Sequence, residues 1–160
     1  MTNNLLLPHK FKRIGWLILL PSTIGGLILL LTGVEDIPLK TTVFAVRYEP
    51  FMGTDQSFQF IHTDISGTLV GILFLIGALL VGFSREKNED EFIEQLRLSS
   101  LLWAVLLNYT LLLVAFAFVY GMAFLTVMLY NMFTVLAIFI LRFNYLLYRN
   151  AKSAPDEKQH

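Results

Sequence analysis

Cysteine is absent from the chain, so disulfides, thiol catalysis and cysteine-ligated metals are excluded. A second absence is more informative. Four long apolar runs contain no Asp, Glu or Lys: Ile14–Val34, Ile65–Phe83, Leu98–Tyr120 and, roughly, Ala123–Tyr148. Proton- and cation-coupled transporters characteristically place Asp, Glu or His within their spans, and these runs hold none. Voltage sensing needs several spaced arginines, which are likewise missing. Hydrolytic chemistry needs a nucleophile beside a base, but Ser22, Ser66, Ser99 and Ser100 have no His near them in sequence. The histidines are His9, His62 and His160. No phosphate-cradling glycine loop of either the GxxxxGK or the GxGxxG type is present. The expectation is a protein that is not an enzyme, binds no cofactor or metal and contacts no nucleic acid.

What is present is lipid-compatible. Of 160 residues, 56% are hydrophobic and 15% charged, and each run is long enough at 1.5 Å per residue to cross about 30 Å of hydrocarbon. The fold class this predicts is an all-α membrane protein with four transmembrane helices in an antiparallel bundle. The helices are expected over about 14–34, 65–83, 89–120 and 123–148, within one domain spanning 1–150. The remainder, 151–160, reads by composition as a disordered cytoplasmic tail.

Charge sets the orientation. Lys10, Lys12, Arg13, Arg85, Lys87, Arg97, Arg142, Arg149, Lys152 and Lys158 fall in the N-terminal segment, the loop between the second and third runs, or the C-terminal end, against Lys40 and Arg47 in the loop between the first and second. Short Lys/Arg-rich loops stay cytoplasmic, which predicts both termini inside and residues 35–64 outside. The first run has a basic flank but no A-x-A cleavage pattern, and reads as a retained helix. Pro21 within it removes a backbone donor and is expected to bend it.

The outer segment of about 30 residues carries β-branched and aromatic Thr41–Tyr48, alternating Ser57–Ile61, and turn chemistry at Glu49-Pro50 and Met52–Asp55 between them. This predicts a small β-hairpin. The alternative is an irregular loop with Phe51, Phe58 and Phe60 dipped into the interface. His62 with Asp64, Glu35, Asp36, Glu49 and Asp55 offers a thin case for an outer metal site; a solvated surface is the plainer reading. On the inner side, Asn88 followed by Glu91 matches a helix cap, and Glu89, Asp90 and Glu91 suit the positive end of a helix dipole.

Small residues mark where helices touch in lipid. Gly15, Ser22, Gly26 and Gly33 share a face of the first helix; Gly67, Gly71, Ala78 and Gly82 share one on the second; Ser100, Ala104, Asn108 and Ala115 share one on the third. Packing within one chain is the default for these stripes, with dimerisation through Gly67–Gly71 the alternative. Asn108 and Asn131 lie 13 and 10 positions from the Gly121 turn, so a hairpin brings them to similar depth. An Asn–Asn bridge between helices is one reading; a solute or ion site lined by Asn108, Tyr109, Tyr130 and Asn131 is the other. Thr126, Thr134, Asn144 and Tyr148 extend a polar seam on the fourth helix. Arg142 either snorkels to the cytoplasmic interface or pairs with Glu91 or Glu94.

The segments Glu89-Asp90-Glu91-Phe92-Ile93, Leu96–Ala104 and Arg142-Phe143-Asn144-Tyr145 resemble parts of small four-span bacterial inner-membrane proteins with no assigned activity. The resemblance implies a bacterial cytoplasmic membrane and a non-enzymatic role. The expected function is that of an accessory or regulatory interaction subunit, its lipid bilayer contacts joined by a membrane or cytoplasmic protein partner. The alternative is a carrier or channel for a small neutral or apolar solute.

Overall fold

The computed structural model describes residues 6–32, 39–48, 56–87 and 89–153. Among the described residues there are four helices: α1 (Lys10–Thr32), α2 (Ser66–Gly82), α3 (Glu91–Phe118) and α4 (Met122–Ser153). Two strands, β1 (Lys40–Tyr48) and β2 (Gln56–Asp64), stand between α1 and α2. The molecule is therefore mostly helical but not all-α. α1, α3 and α4 are long and apolar enough to cross a membrane. α2 has 17 residues, about 25 Å, and is shorter than the apolar run that contains it. Its start is set by Asp64, whose carboxylate accepts from the Ser66 backbone N–H at 2.8 Å and the Ser66 hydroxyl at 2.6 Å. α4 continues through Ala151, Lys152 and Ser153, past the expected start of the tail; residues 154–160 lie outside the described residues.

The chain divides into two compact units, residues 20–74 and residues 1–19 with 75–160. In the first, β1 and β2 pair antiparallel from Lys40–Asp64 to Tyr48–Gln56, a register that sets Phe44 opposite Phe60. Their rings meet edge to face at 5.5 Å, a geometry aromatic quadrupoles favour. Phe58 takes φ 56° where the ladder passes from Ala45–Gln59 to Arg47–Ser57. The expected hairpin is thus formed, on longer strands than the sequence signals marked. Leu39 N–H donates to the Ser66 hydroxyl at 3.1 Å and Ile65 N–H to the Leu39 carbonyl at 3.2 Å, tying the strand ends to the start of α2. Gly26 faces Val70, where an added Cβ would meet Cγ1 at 3.4 Å. Gly67 has open space where its Cβ would be, so the first glycine of GxxxG makes no close contact among the described residues. Gly33, Glu35, Asp36, Glu49, Pro50, Phe51 and Asp55 lie outside the described residues.

In the second unit the core is built on small residues of α2 and aromatics of α4. Ala78, Val81 and Gly82 are buried with Phe139 and Phe143. A Cβ on Gly82 would stand 2.6 Å from Phe139 Cε1, so the ring occupies the space a side chain would take. Gly15 and Gly77 pack as tightly, against Leu80–Val81 and the Leu19 backbone. Phe139 stacks on Phe143 at 6.0 Å and tilts towards Phe83 at 6.2 Å. α3 and α4 form an antiparallel hairpin closed at Gly121, whose φ of 70° is a conformation that glycine adopts without a Cβ penalty. Phe116 and Phe124 flank that turn with ring centroids 4.6 Å apart.

Candidate functional site

Two polar sites stand out in the second unit, one at mid-depth and one at the end opposite the Gly121 turn. At mid-depth, Asn108 Nδ2 donates to Asn131 Oδ1, and Asn131 Nδ2 donates to Asn108 Oδ1, both at 3.1 Å. Asn108 is 1% exposed. A buried amide needs partners because desolvation without them costs about 1–3 kcal/mol. Here each amide supplies the other's partner. The depth match follows from the hairpin: 13 residues of rise on α3 and 10 on α4 place both about 15–20 Å from the turn.

The tyrosines do not join this pair. Tyr109 is 62% exposed and Tyr130 42% exposed, both facing outwards from the chain. One residue of helix turns a side chain by about 100°, so the neighbours of two inward asparagines are carried off the contact face. The rest of the seam is spent locally. Thr126 and Thr134 donate to the carbonyls four residues earlier, Met122 and Tyr130, and Asn144 Nδ2 donates to the Ile140 carbonyl. Thr110 on α3 does the same with Leu106. Such back-bonding is the usual fate of hydroxyls in apolar helices.

The second site was not singled out by the sequence. Arg97 on α3 is 7% exposed, and its Nη1 and Nη2 donate to Glu89 Oε1 at 2.7 Å and Oε2 at 3.1 Å. Nη2 also donates to the Ser84 carbonyl at 3.2 Å. The fork-to-fork geometry is the strong form of the arginine–carboxylate pair. Glu89 Oε2 further accepts from the Glu86 backbone N–H at 2.6 Å, and Glu86 pairs with Lys12 of α1. The Arg97 guanidinium carbon and Lys12 Nζ lie 5.1 and 5.9 Å from the Phe143 ring centroid, within cation–π range.

The N-terminal lead is held at this end too. Leu7 N–H donates to the Phe83 carbonyl at 2.9 Å and Arg85 N–H to the Leu7 carbonyl at 2.8 Å. His9 Nδ1 donates to the Arg85 carbonyl at 3.0 Å. Buried Ser84 donates to the Leu80 carbonyl. The segment between α2 and α3 is thereby clamped from three directions.

These contacts revise the reading of the α3 start. The N-cap is Asp90, whose Oδ1 accepts from the Ile93 N–H at 2.8 Å; Asn88 lies outside the described residues. Glu89 precedes the helix because its carboxylate is engaged by Arg97. Glu91 is exposed and Glu94 half-buried in the first turn. Arg142 lies over the Trp103 indole at 4.6 Å, and its Nε is buried without a hydrogen-bond partner among the described residues.

Among the small-residue stripes, Ser22, Ala78, Gly82, Ser100 and Ala104 are buried, as is Gly15, while Gly26 and Gly71 are half-buried. Arg97 continues the α3 stripe, standing three, seven and eleven positions before Ser100, Ala104 and Asn108; that spacing is the signal that could have found it. On the β-hairpin, Thr42 Oγ1 and His62 Nδ1 are 3.3 Å apart across the strands, and no cluster of three metal-ligating side chains occurs among the described residues. No protein-family model, curated protein or solved structure matches this chain.

Proposed function

We propose that the chain is a four-span protein of a bacterial inner membrane, with both termini cytoplasmic, that works by contact as an accessory or regulatory subunit. α2 joins the three longer helices as a span by slight bilayer thinning and by its flanking Ile65 and Phe83. An even number of spans keeps the basic N-terminal lead, the α2–α3 segment and the end of α4 on one side, in agreement with the lysine and arginine distribution. The lack of cysteine makes the topology directly testable. Single cysteines at Lys40, Lys87 and Lys152 leave no background for a membrane-impermeant maleimide. Labelling of position 40 in intact cells, and of 87 and 152 after lysis only, is the expected pattern. Labelling of 40 and 87 from the same side contradicts it.

The observation that carries the contact reading is the reciprocal Asn108–Asn131 bond. A carrier for a neutral solute through this seam would need amides and hydroxyls turned to a pathway. The deepest amides instead bind each other, and Thr110, Thr126 and Thr134 bind their own helices. The exposed charges left for a partner are Glu91 in the first turn of α3 and Lys10 and Arg13 of α1. Crosslinking in native membranes from the start of α3 recovers the partner, and Glu91→Lys lowers that recovery several-fold. Unchanged recovery with Glu91→Lys removes this docking surface.

A further inference from the structure

A groove of about 400 Å³ runs along the outward face of α3, lined by Gln95, Leu98, Ser99, Leu102, Trp103 and Leu106. Its chemistry changes along its length. Gln95 and Ser99 lie towards the start of the helix; Leu102 and Leu106 lie deeper, and both leucines are exposed, as is Leu98. Counted from Gly121, Leu106 and Trp103 stand about 22 and 27 Å along the helix, Ser99 about 33 Å and Gln95 about 39 Å. In a bilayer whose hydrocarbon is about 30 Å thick, the leucines meet acyl chains and the polar pair meets headgroups.

The charge at that boundary is Arg142, 21 positions after Gly121 and so at the depth of Ser99. Its guanidinium rests on Trp103, the residue that also walls the groove. Its Nε is buried and has no hydrogen-bond partner among the described residues. No carboxylate lines the groove to satisfy it. A cation resting on the Trp103 wall of an apolar trough, at headgroup depth, suits a phosphate ester attached to an acyl chain.

We propose that this groove is a binding site for an anionic phospholipid of the cytoplasmic leaflet. One acyl chain lies along Leu102 and Leu106, and the phosphate takes the Arg142 guanidinium with Gln95 and Ser99 as further donors. The site needs the helices to lie in a bilayer but does not depend on the protein having a partner. It gives Arg142 a ligand where the sequence suggested either bare snorkelling or a carboxylate.

Trp103 reports on the groove directly, because Trp16 is the other tryptophan and can be removed. The full chain carrying Trp16→Phe is reconstituted in phosphatidylcholine nanodiscs containing an equal mole fraction of acyl-brominated phosphatidylglycerol or acyl-brominated phosphatidylcholine. One basic side chain near the surface favours the anionic lipid by about fivefold in association. Quenching of Trp103 should show that preference, lose it in Arg142→Gln, keep most of it in Arg142→Lys, and weaken at high salt with Arg142 intact. In a Trp103→Phe chain, Trp16 quenching should not respond to Arg142→Gln. Equal quenching by the two lipids overturns the proposal, as does a preference that survives Arg142→Gln or is indifferent to salt. Protection of Trp103 from both lipids also overturns it, since the groove is then covered by protein.

Discussion

Arg97 and Glu89 meet through two parallel hydrogen bonds, at 2.7 and 3.1 Å, across the point where the α2–α3 segment becomes helix. One end of this pair is 7% exposed and faces Phe143. The other holds the Glu86 backbone, and through Glu86 the side chain of Lys12. The pair thus links α1, α3 and α4 within one compact unit.

The two partners should not be equivalent. Removing the carboxylate with Glu89→Ala leaves a buried guanidinium uncompensated and is expected to cost about 3 kcal/mol. Arg97→Met keeps the apolar stem against Phe143 and leaves a carboxylate that water can reach, at an expected cost of about 1 kcal/mol. Unfolding of the two variants in detergent micelles measures the difference. Equal costs would show that the pair is not the source of the stability.

Glycines at two ends of α2 should respond oppositely to alanine. At Gly82 the new methyl would stand 2.6 Å from the Phe139 ring, and overpacking of this kind costs about 1–3 kcal/mol. At Gly67 nothing among the described residues lies within 4 Å of the added Cβ, so Gly67→Ala should stabilise by up to about 1 kcal/mol through helix propensity alone. Thermal unfolding of the two variants reads the sign. A destabilising Gly67→Ala would mean that this face packs against a second copy.

The Asp64 carboxyl is held below its ordinary value of 3.8, first by the Ser66 hydroxyl and then by the Ser66 backbone N–H. A depressed folded-state value means the contribution is complete above the ordinary carboxylate value and is lost as pH falls through the lower folded one. Protection of the Ser66 amide from hydrogen exchange should therefore fall in acid and be restored on neutralisation. In Asp64→Asn that pH dependence should vanish.

Much of this architecture is legible in the residues. The Gly121 turn fixes the depths of Asn108 and Asn131, so their meeting can be reasoned from counting alone. The hairpin is announced by β-branched and aromatic residues on both sides of turn chemistry. Arg97 escaped because its position among flanking cations made it a marker of orientation, although it continues the Ser100–Ala104–Asn108 face. The Leu7–Ser84 bridge could not be read, since neither local segment carries a periodicity that names its distant partner. Asn88, Glu89 and Asp90 can each begin a helix by chemistry. The choice of Asp90 depends on Glu89 being engaged by Arg97, a tertiary contact.

A double-mutant cycle on Asn108→Leu and Asn131→Leu measures whether the Asn108–Asn131 pair acts as a contact between helices. Each single change strands the other amide in an apolar setting and should destabilise by about 1–2 kcal/mol. The double variant should recover part of that loss, with a coupling of about 0.6–2 kcal/mol. Strictly additive costs, with no coupling, would contradict the pair and return both asparagines to the role of independent groups lining a path.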